Sequence, residues 1–222
     1  MLRKLAIAVV AATFVATVSR GLAAQVCVGM PSLSTHPMNV GVNAAFTDNA
    51  KSYGGRFGFG TSTAFAGVSA ALDDYDGTDE NSTSIGVDGG LAFPVGTSRR
   101  ASVCPIASIG YTFGPNVQSA FGDLELGTLS LNGGVAFGGS AYSTQGLQIL
   151  PFASAQLGYA RVKAELGGES DTDSETFGLL GLGMGFLFSD LFMVRPTIVI
   201  PAGLENADPV FGLSFVIGFG RK

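Results

Sequence analysis

The stretch that most constrains the fold is the run 210–220, in which large and small residues alternate strictly. Phe211, Leu213, Phe215, Ile217 and Phe219 fall on one face of an extended strand. Gly212, Ser214, Val216, Gly218 and Gly220 fall on the other. A period of two with bulky apolar groups on one side and small groups on the other suits a strand with lipid outside and a crowded lumen inside. The pattern recurs about ten times along the chain.

Mean hydropathy is +0.39, a value usual for membrane helices, yet after the N-terminus no run of eighteen apolar residues occurs. Gly, Ser, Thr or Ala interrupts the apolar residues at every second position instead. A membrane chain without spanning helices must close its sheet, because unpaired backbone groups in hydrocarbon cost several kcal/mol each.

Residues 1–24 read as an export signal: Arg3 and Lys4, an apolar stretch over 5–18, then small residues ending at Ala24. Removing it takes Arg3, Lys4 and Arg20 from the 12 basic residues and leaves 9 against 17 acidic ones, a net charge of −8. That balance argues against nucleic acid as a partner. Residues 25–37, with Pro31 and Pro37, read as an irregular periplasmic lead-in. The barrel is expected over 38–222, with strands near 38–47, 52–60, 64–72, 83–95, 101–113, 124–138, 147–164, 175–188, 192–200 and 210–220.

The connections sort into two classes. Short ones occur at 62–63, 97–100, 143–146 and 189–191. The alternating set is mostly longer and acidic, at 73–81, 167–174 and 204–208. Short periplasmic turns and longer outer loops are the arrangement of a transmembrane barrel. An even strand number leaves both ends on the short-turn side, which supports ten strands, with eight as the alternative. Tyr53, Tyr111, Tyr159 and Phe113 are expected near the outer rim, and Phe93, Phe137, Phe188, Phe192 and Phe219 near the inner one.

These features together resemble the small outer-membrane β-barrel proteins of the OmpA/OmpX/OmpW-like group, over residues 38–220. The terminal strand is similar to the signal read by the barrel assembly machinery, with Gly212, Phe215, Ile217 and Phe219 at the matching positions. Val210 departs from it, standing where such signals carry a polar residue, and the chain runs past Phe219. The resemblance implies outer-membrane lipid and the assembly machinery as partners, a monomer, and no peptidoglycan-binding module after the barrel. Any extracellular ligand is left unidentified.

Chemistry beyond the wall is sparse. The one histidine, His36, lies in the lead-in, so Ser–His or Asp–His catalysis lacks its base on any strand or outer loop. No catalytic residue, cofactor or metal site is expected. The run 73–77, although acidic, lacks the spacing and terminal Glu of an EF-hand. Cys27 and Cys104 form an even pair in an exported chain. Cys104 belongs to the lumen-facing set near the periplasmic end, so a Cys27–Cys104 bridge is expected to tether the lead-in at the lower mouth and partly plug the barrel. Arg56, Asp88, Asn132, Gln156 and Arg195 fall among small lumen-facing residues. They form a candidate polar network, bracing the wall or setting selectivity. The functional expectation is a non-enzymatic barrel with a structural or surface-interaction role and acidic outer loops. A narrow pore or small-molecule conduit is the alternative.

Overall fold

The computed structural model describes Cys27 and residues 36–76, 81–95, 101–114, 117–119, 122–166, 169–204 and 207–220. The export signal, most of the lead-in and the loop tips at 77–80, 96–100, 167–168 and 205–206 lie outside the described residues.

The described elements are strands: β1 (Met38–Phe46), β2 (Ala50–Gly60), β3 (Ala64–Tyr75), β4 (Asn81–Leu91), β5 (Phe93–Val95), β6 (Ala101–Phe113), β7 (Val117–Ser119), β8 (Gly122–Gly139), β9 (Tyr142–Ser143), β10 (Leu147–Leu166), β11 (Glu169–Phe188), β12 (Phe192–Ala202) and β13 (Val210–Phe219). All pairings are antiparallel. The last strand returns to the first, from Phe46↔Phe211 to Met38↔Phe219, and closes the sheet. Short β7 folds back on β8, and β9 on β10.

β4 and β5 are one wall strand, since both pair with β6. Their break at Ala92 lies opposite Cys104 and Pro105, between the pairs Gly90↔Ile106 and Phe93↔Val103. Proline has no N–H to give the ladder, and the Ala92 amide donates to Thr63 O at 2.8 Å. The wall therefore has ten strands, the number expected, and not the alternative of eight. Its two ends meet on one side, where the His36 Nδ1–H donates to Gly220 O at 3.1 Å.

The outward face is apolar. Val40, Val42, Val68, Val87, Ile109, Leu131 and Leu182 are exposed on it, and Leu157 reaches 70 % exposure. Soluble monomers rarely expose a contiguous apolar patch above a few hundred Å², whereas this one girdles the barrel. A closed sheet with this exterior is an outer-membrane β-barrel. Aromatic pairs mark both rims. Phe46 and Tyr53 meet edge to face at 6.2 Å, and Tyr111 meets Phe113 at 4.6 Å, near the outer side. Phe57 meets Phe219 at 6.1 Å and Phe188 stacks on Phe192 at 6.1 Å near the inner side. Phe46, Phe57 and Phe59 add to the residues foreseen for these belts.

Three expectations need correction. First, the acidic stretch 167–174 is not simply a loop: β10 and β11 run for 20 residues each and pair from Leu147↔Phe188 up to Leu166↔Glu169. Alternating Ser, Thr, Asp and Glu side chains still permit a pleated hairpin beyond the membrane. Second, Asp73, Asp74 and Tyr75 belong to β3, so their side chains alternate between faces. Third, the lumen is not lined by small residues alone. Phe65, Ile106, Leu150, Phe152, Leu187 and Met193 fill its inner half around Cys27 and Cys104, and Phe177, Leu179, Val199 and Val210 line one side of its outer half. These residues sit in phase with neighbouring glycines and serines, so the pleat sends them inward.

Candidate functional site

The lumen's charged layer is built from β2, β3 and β4. Arg56 points inward from β2 and crosses β3 to reach Asp88 on β4. Its Nε donates to Oδ1 at 2.9 Å and its Nη2 to Oδ2 at 2.6 Å, while Nη1 donates to Asn39 Oδ1 at 3.5 Å. Both charged side chains are buried, 7 % and 5 % exposed. The crossing is possible because Gly58 and Gly67 carry no side chain: a Cβ at either would collide with the guanidinium. A bidentate guanidinium–carboxylate pair satisfies most of the donors and acceptors that burial would otherwise leave bare.

The other residues foreseen for this network are distributed around it. Asn132 Nδ2 donates to Ser108 Oγ at 3.3 Å, beside Asp88, and its Oδ1 is buried without a partner among the described residues. The space between Ser69, Asp88, Ser108, Ser130 and Asn132 is about 20 Å³, room for roughly one water. Arg195 is buried on β12, where its Nη2 donates to Ser214 Oγ at 3.4 Å and its guanidinium lies 5.8 Å from the Phe152 ring centre. Gln156 is half-buried over Gly134 and makes no contact with the ion pair among the described residues. Of the five residues expected as one network, Arg56 and Asp88 form an ion pair, Asn132 adjoins it, Arg195 is buried within electrostatic reach of both charges, and Gln156 lies over Gly134.

A second buried carboxylate escaped the sequence reading. Asp73 is fully buried and accepts hydrogen bonds from Ser52 Oγ at 2.6 Å, Ser84 Oγ at 2.6 Å and Ser82 Oγ at 3.3 Å. Thr112 Oγ1 donates to Ser84 at 3.1 Å, and the Tyr75 hydroxyl lies 3.1 Å from Ser82 Oγ. Its phase with Phe65, Gly67 and Ser69 was the available signal, masked by the acidic run that follows. The neighbouring acids diverge from it: Asp74 is exposed, and Asp76 accepts from Lys51 Nζ at 3.1 Å. The described residues hold no group of three or more His, Cys, Asp or Glu side chains placed to bind a metal.

The cysteines are joined, Cys27 to Cys104, with Cα atoms 6.0 Å apart and both fully buried in the inner apolar cluster. His36, at the end of the lead-in, packs over Gly218 and holds the end of β13. Neither arrangement brings a nucleophile to an imidazole. Of the terminal-strand positions, Phe215, Ile217 and Phe219 face outward and Gly212 lies under Thr197 Oγ1.

Above the membrane β10 and β11 continue as a hairpin, flanked on one side by β8, which pairs with β10 as far as Leu166↔Leu124. β12 accompanies β11 only as far as Ala202↔Gly178, and residues 170–176 are all exposed.

No protein-family model and no curated protein matches the chain. Among solved structures it is similar to the N-terminal β-barrel domain of Pseudomonas aeruginosa OprF, with TM-score 0.37, 15 % identity, 82 % of this chain and 96 % of that one covered. The attachment invasion locus protein Ail of Yersinia pestis gives TM-score 0.39 and 14 % identity, with 82 % and 97 % covered. Acinetobacter baumannii Omp33 gives TM-score 0.37 and 11 % identity, with 84 % and 99 % covered. At such identities and TM-scores, nothing about function passes from those proteins to this one.

Proposed function

We propose that this chain is a non-enzymatic outer-membrane barrel whose role is structural or one of surface interaction, presenting an acidic hairpin outside the cell. The observation that carries this reading is the filled lumen. Arg56 reaches across the glycines of its neighbours to Asp88, and aromatic rings occupy the space beside others: Phe177 over Gly158, Phe152 over Gly183 and Phe65 over Gly90. Side chains so interlocked brace a wall and leave little cross-section for a solute.

The N-terminal organisation belongs to the same reading: an export signal over 1–24, then a lead-in over 25–37 that Cys27 anchors inside the lower mouth. The chain acts as a monomer, inserted by the barrel assembly machinery through Gly212, Phe215, Ile217 and Phe219.

Planar-bilayer recording of the refolded protein tests the reading. A silent membrane is the expected result. Reproducible unitary conductance steps would favour the narrow conduit instead, with Asp88, Ser108 and Asn132 along its path. A lipid-hydrolysis assay is expected to show no turnover above the empty membrane.

A further inference from the structure

Above the membrane the far edge of β11 is unpaired among the described residues. β11 follows β10 up to Leu166↔Glu169, whereas β12 leaves β11 at Ala202↔Gly178. Gly203 lies beside Phe177, and beyond it no described strand pairs with that side of β11. Residues 170–176 there are all exposed. A bare strand edge is a row of amide donors and carbonyl acceptors that another extended chain can join.

Strand parity sorts the side chains of this edge. Ser170, Thr172, Ser174 and Thr176 take one face, and Asp171, Asp173 and Glu175 the other. The acids share their face with Ala164, Val162 and Ala160 on β10, and beyond those with Leu126, Thr128 and Ser130 on β8. No cation stands on that face among the described residues. Arg161, Lys163 and Glu165 occupy the opposite face of β10, where Lys163 is paired with Glu165. Three carboxylates, each about 7 Å from the next, therefore form a row with no ion pair among the described residues.

Two of these carboxylates lie on the edge itself. The Thr172 N–H donates to Asp171 Oδ1 and the Ser174 N–H to Asp173 Oδ1, each at 2.8 Å. Both amides are thus turned away from β10, and both hydrogen bonds are open to water. A joining strand offers its own carbonyls to these amides and displaces the carboxylates. Lys or Arg at alternate positions of that strand receives the displaced oxygens, because facing side chains of paired strands lie about 5 Å apart. A neutral strand supplies the carbonyls alone. A second copy of this edge brings no cation either, since residues 169–177 contain neither Lys nor Arg.

We propose that residues 170–176 of β11 take up an extended basic segment of an extracellular polypeptide, with Lys or Arg at alternate positions, as an added strand. The edge amides and carbonyls supply the pairing, and Asp171, Asp173 and Glu175 select the charge. Such binding rests on the surface-interaction role proposed above and gives that role a partner.

The test uses the whole mature barrel in zwitterionic detergent micelles. The chain has no Trp, so one Trp on an alternating Lys–Thr peptide reports binding by its fluorescence. Two comparison peptides carry the same reporter: the Lys–Thr sequence N-methylated on every backbone amide, and an alternating Glu–Thr sequence. The Lys–Thr peptide is expected to bind, more weakly as salt rises, and to slow hydrogen exchange at 170–176. The N-methylated peptide, equal in charge, and the Glu–Thr peptide are expected to bind at least about tenfold more weakly. The variant D171N/D173N/E175Q should lose Lys–Thr binding by on the order of tenfold, and D74N, at an exposed acid elsewhere on the outer rim, should leave it unchanged. Equal binding of the N-methylated peptide, an unaffected triple variant, or protection confined to other strands would overturn the proposal. Such a failure would leave a silent bilayer untouched, whereas unitary conductance steps would sink the structural reading without altering peptide binding.

Discussion

The lumen wall has two unlike arcs. From β2 to β8 it is polar, with Arg56, Asp88, Asp73 and a series of serine and threonine hydroxyls buried at almost no exposure. From β10 to β13 it is mainly apolar, with Leu150, Phe152, Phe177, Leu179, Met193, Val199 and Val210. Both arcs use the same device, a bulky group laid over a neighbouring strand's glycine. On the polar arc the group is a guanidinium that must also find a carboxylate. On the apolar arc it is a ring that needs only volume. Filling a barrel and neutralising its buried charges are separate requirements, and the arcs differ in emphasis only: Phe65 fills space on the polar arc, and Arg195 is a buried cation on the apolar one.

The largest effect is expected where charge is stranded. Asp88→Ala leaves Arg56 buried without its carboxylate and should destabilise the barrel by about 3–5 kcal/mol. Urea unfolding of the refolded protein, followed by its heat-modifiable gel migration, measures this. The double change Arg56→Met with Asp88→Leu should recover most of the loss, and if it does not, the pair does more than neutralise itself.

Next come the disulfide and the rings. Replacing both cysteines by serine opens a link between residues 77 apart in sequence and should cost about 2–4 kcal/mol. Intact mass before and after reduction with alkylation checks the bond itself; two thiols alkylated without reductant would remove it from the account. Phe177→Ala on the apolar arc should cost about 3 kcal/mol, because the emptied volume over Gly158 stays largely unfilled.

Overpacking probes the same contact from the other side. Gly158→Ala sets a methyl against the Phe177 ring and should cost about 1–3 kcal/mol, with Phe177→Leu as a compensating second change. The smallest effect belongs to the projecting hairpin. Asp171→Asn, exposed and outside the membrane, should shift the unfolding midpoint by less than about 0.5 kcal/mol. A larger shift would mean that the acidic face packs against something.

Much of this was legible in the residues. Alternation in 210–220 was enough to orient β13, with Phe211, Phe215, Ile217 and Phe219 outward. Parity of the short turns required an even strand number and placed both ends together; the ten alternating segments favoured ten over eight. Cys104, in phase with Ser102 and Ser108, was already assigned to the lumen. The misreadings share one cause. Asp73 and the stretch 169–174 were assigned to loops because charge density was read before phase, although polar residues continue a pleat wherever their partners do. Phe65, Phe152 and Phe177 are in phase with inward glycines and serines, but which glycine each ring covers depends on the neighbouring strand.

The sequence by itself determined the period of two, the even strand parity, the side on which the ends meet and the lipid-facing exterior. Each follows from the local pleat, which every strand carries independently of the others. Only the tertiary structure decided that Arg56 meets Asp88 across Gly67 and that Phe177 lies over Gly158. Those matches depend on register, which accumulates from strand to strand around the closed sheet and is written in no single strand.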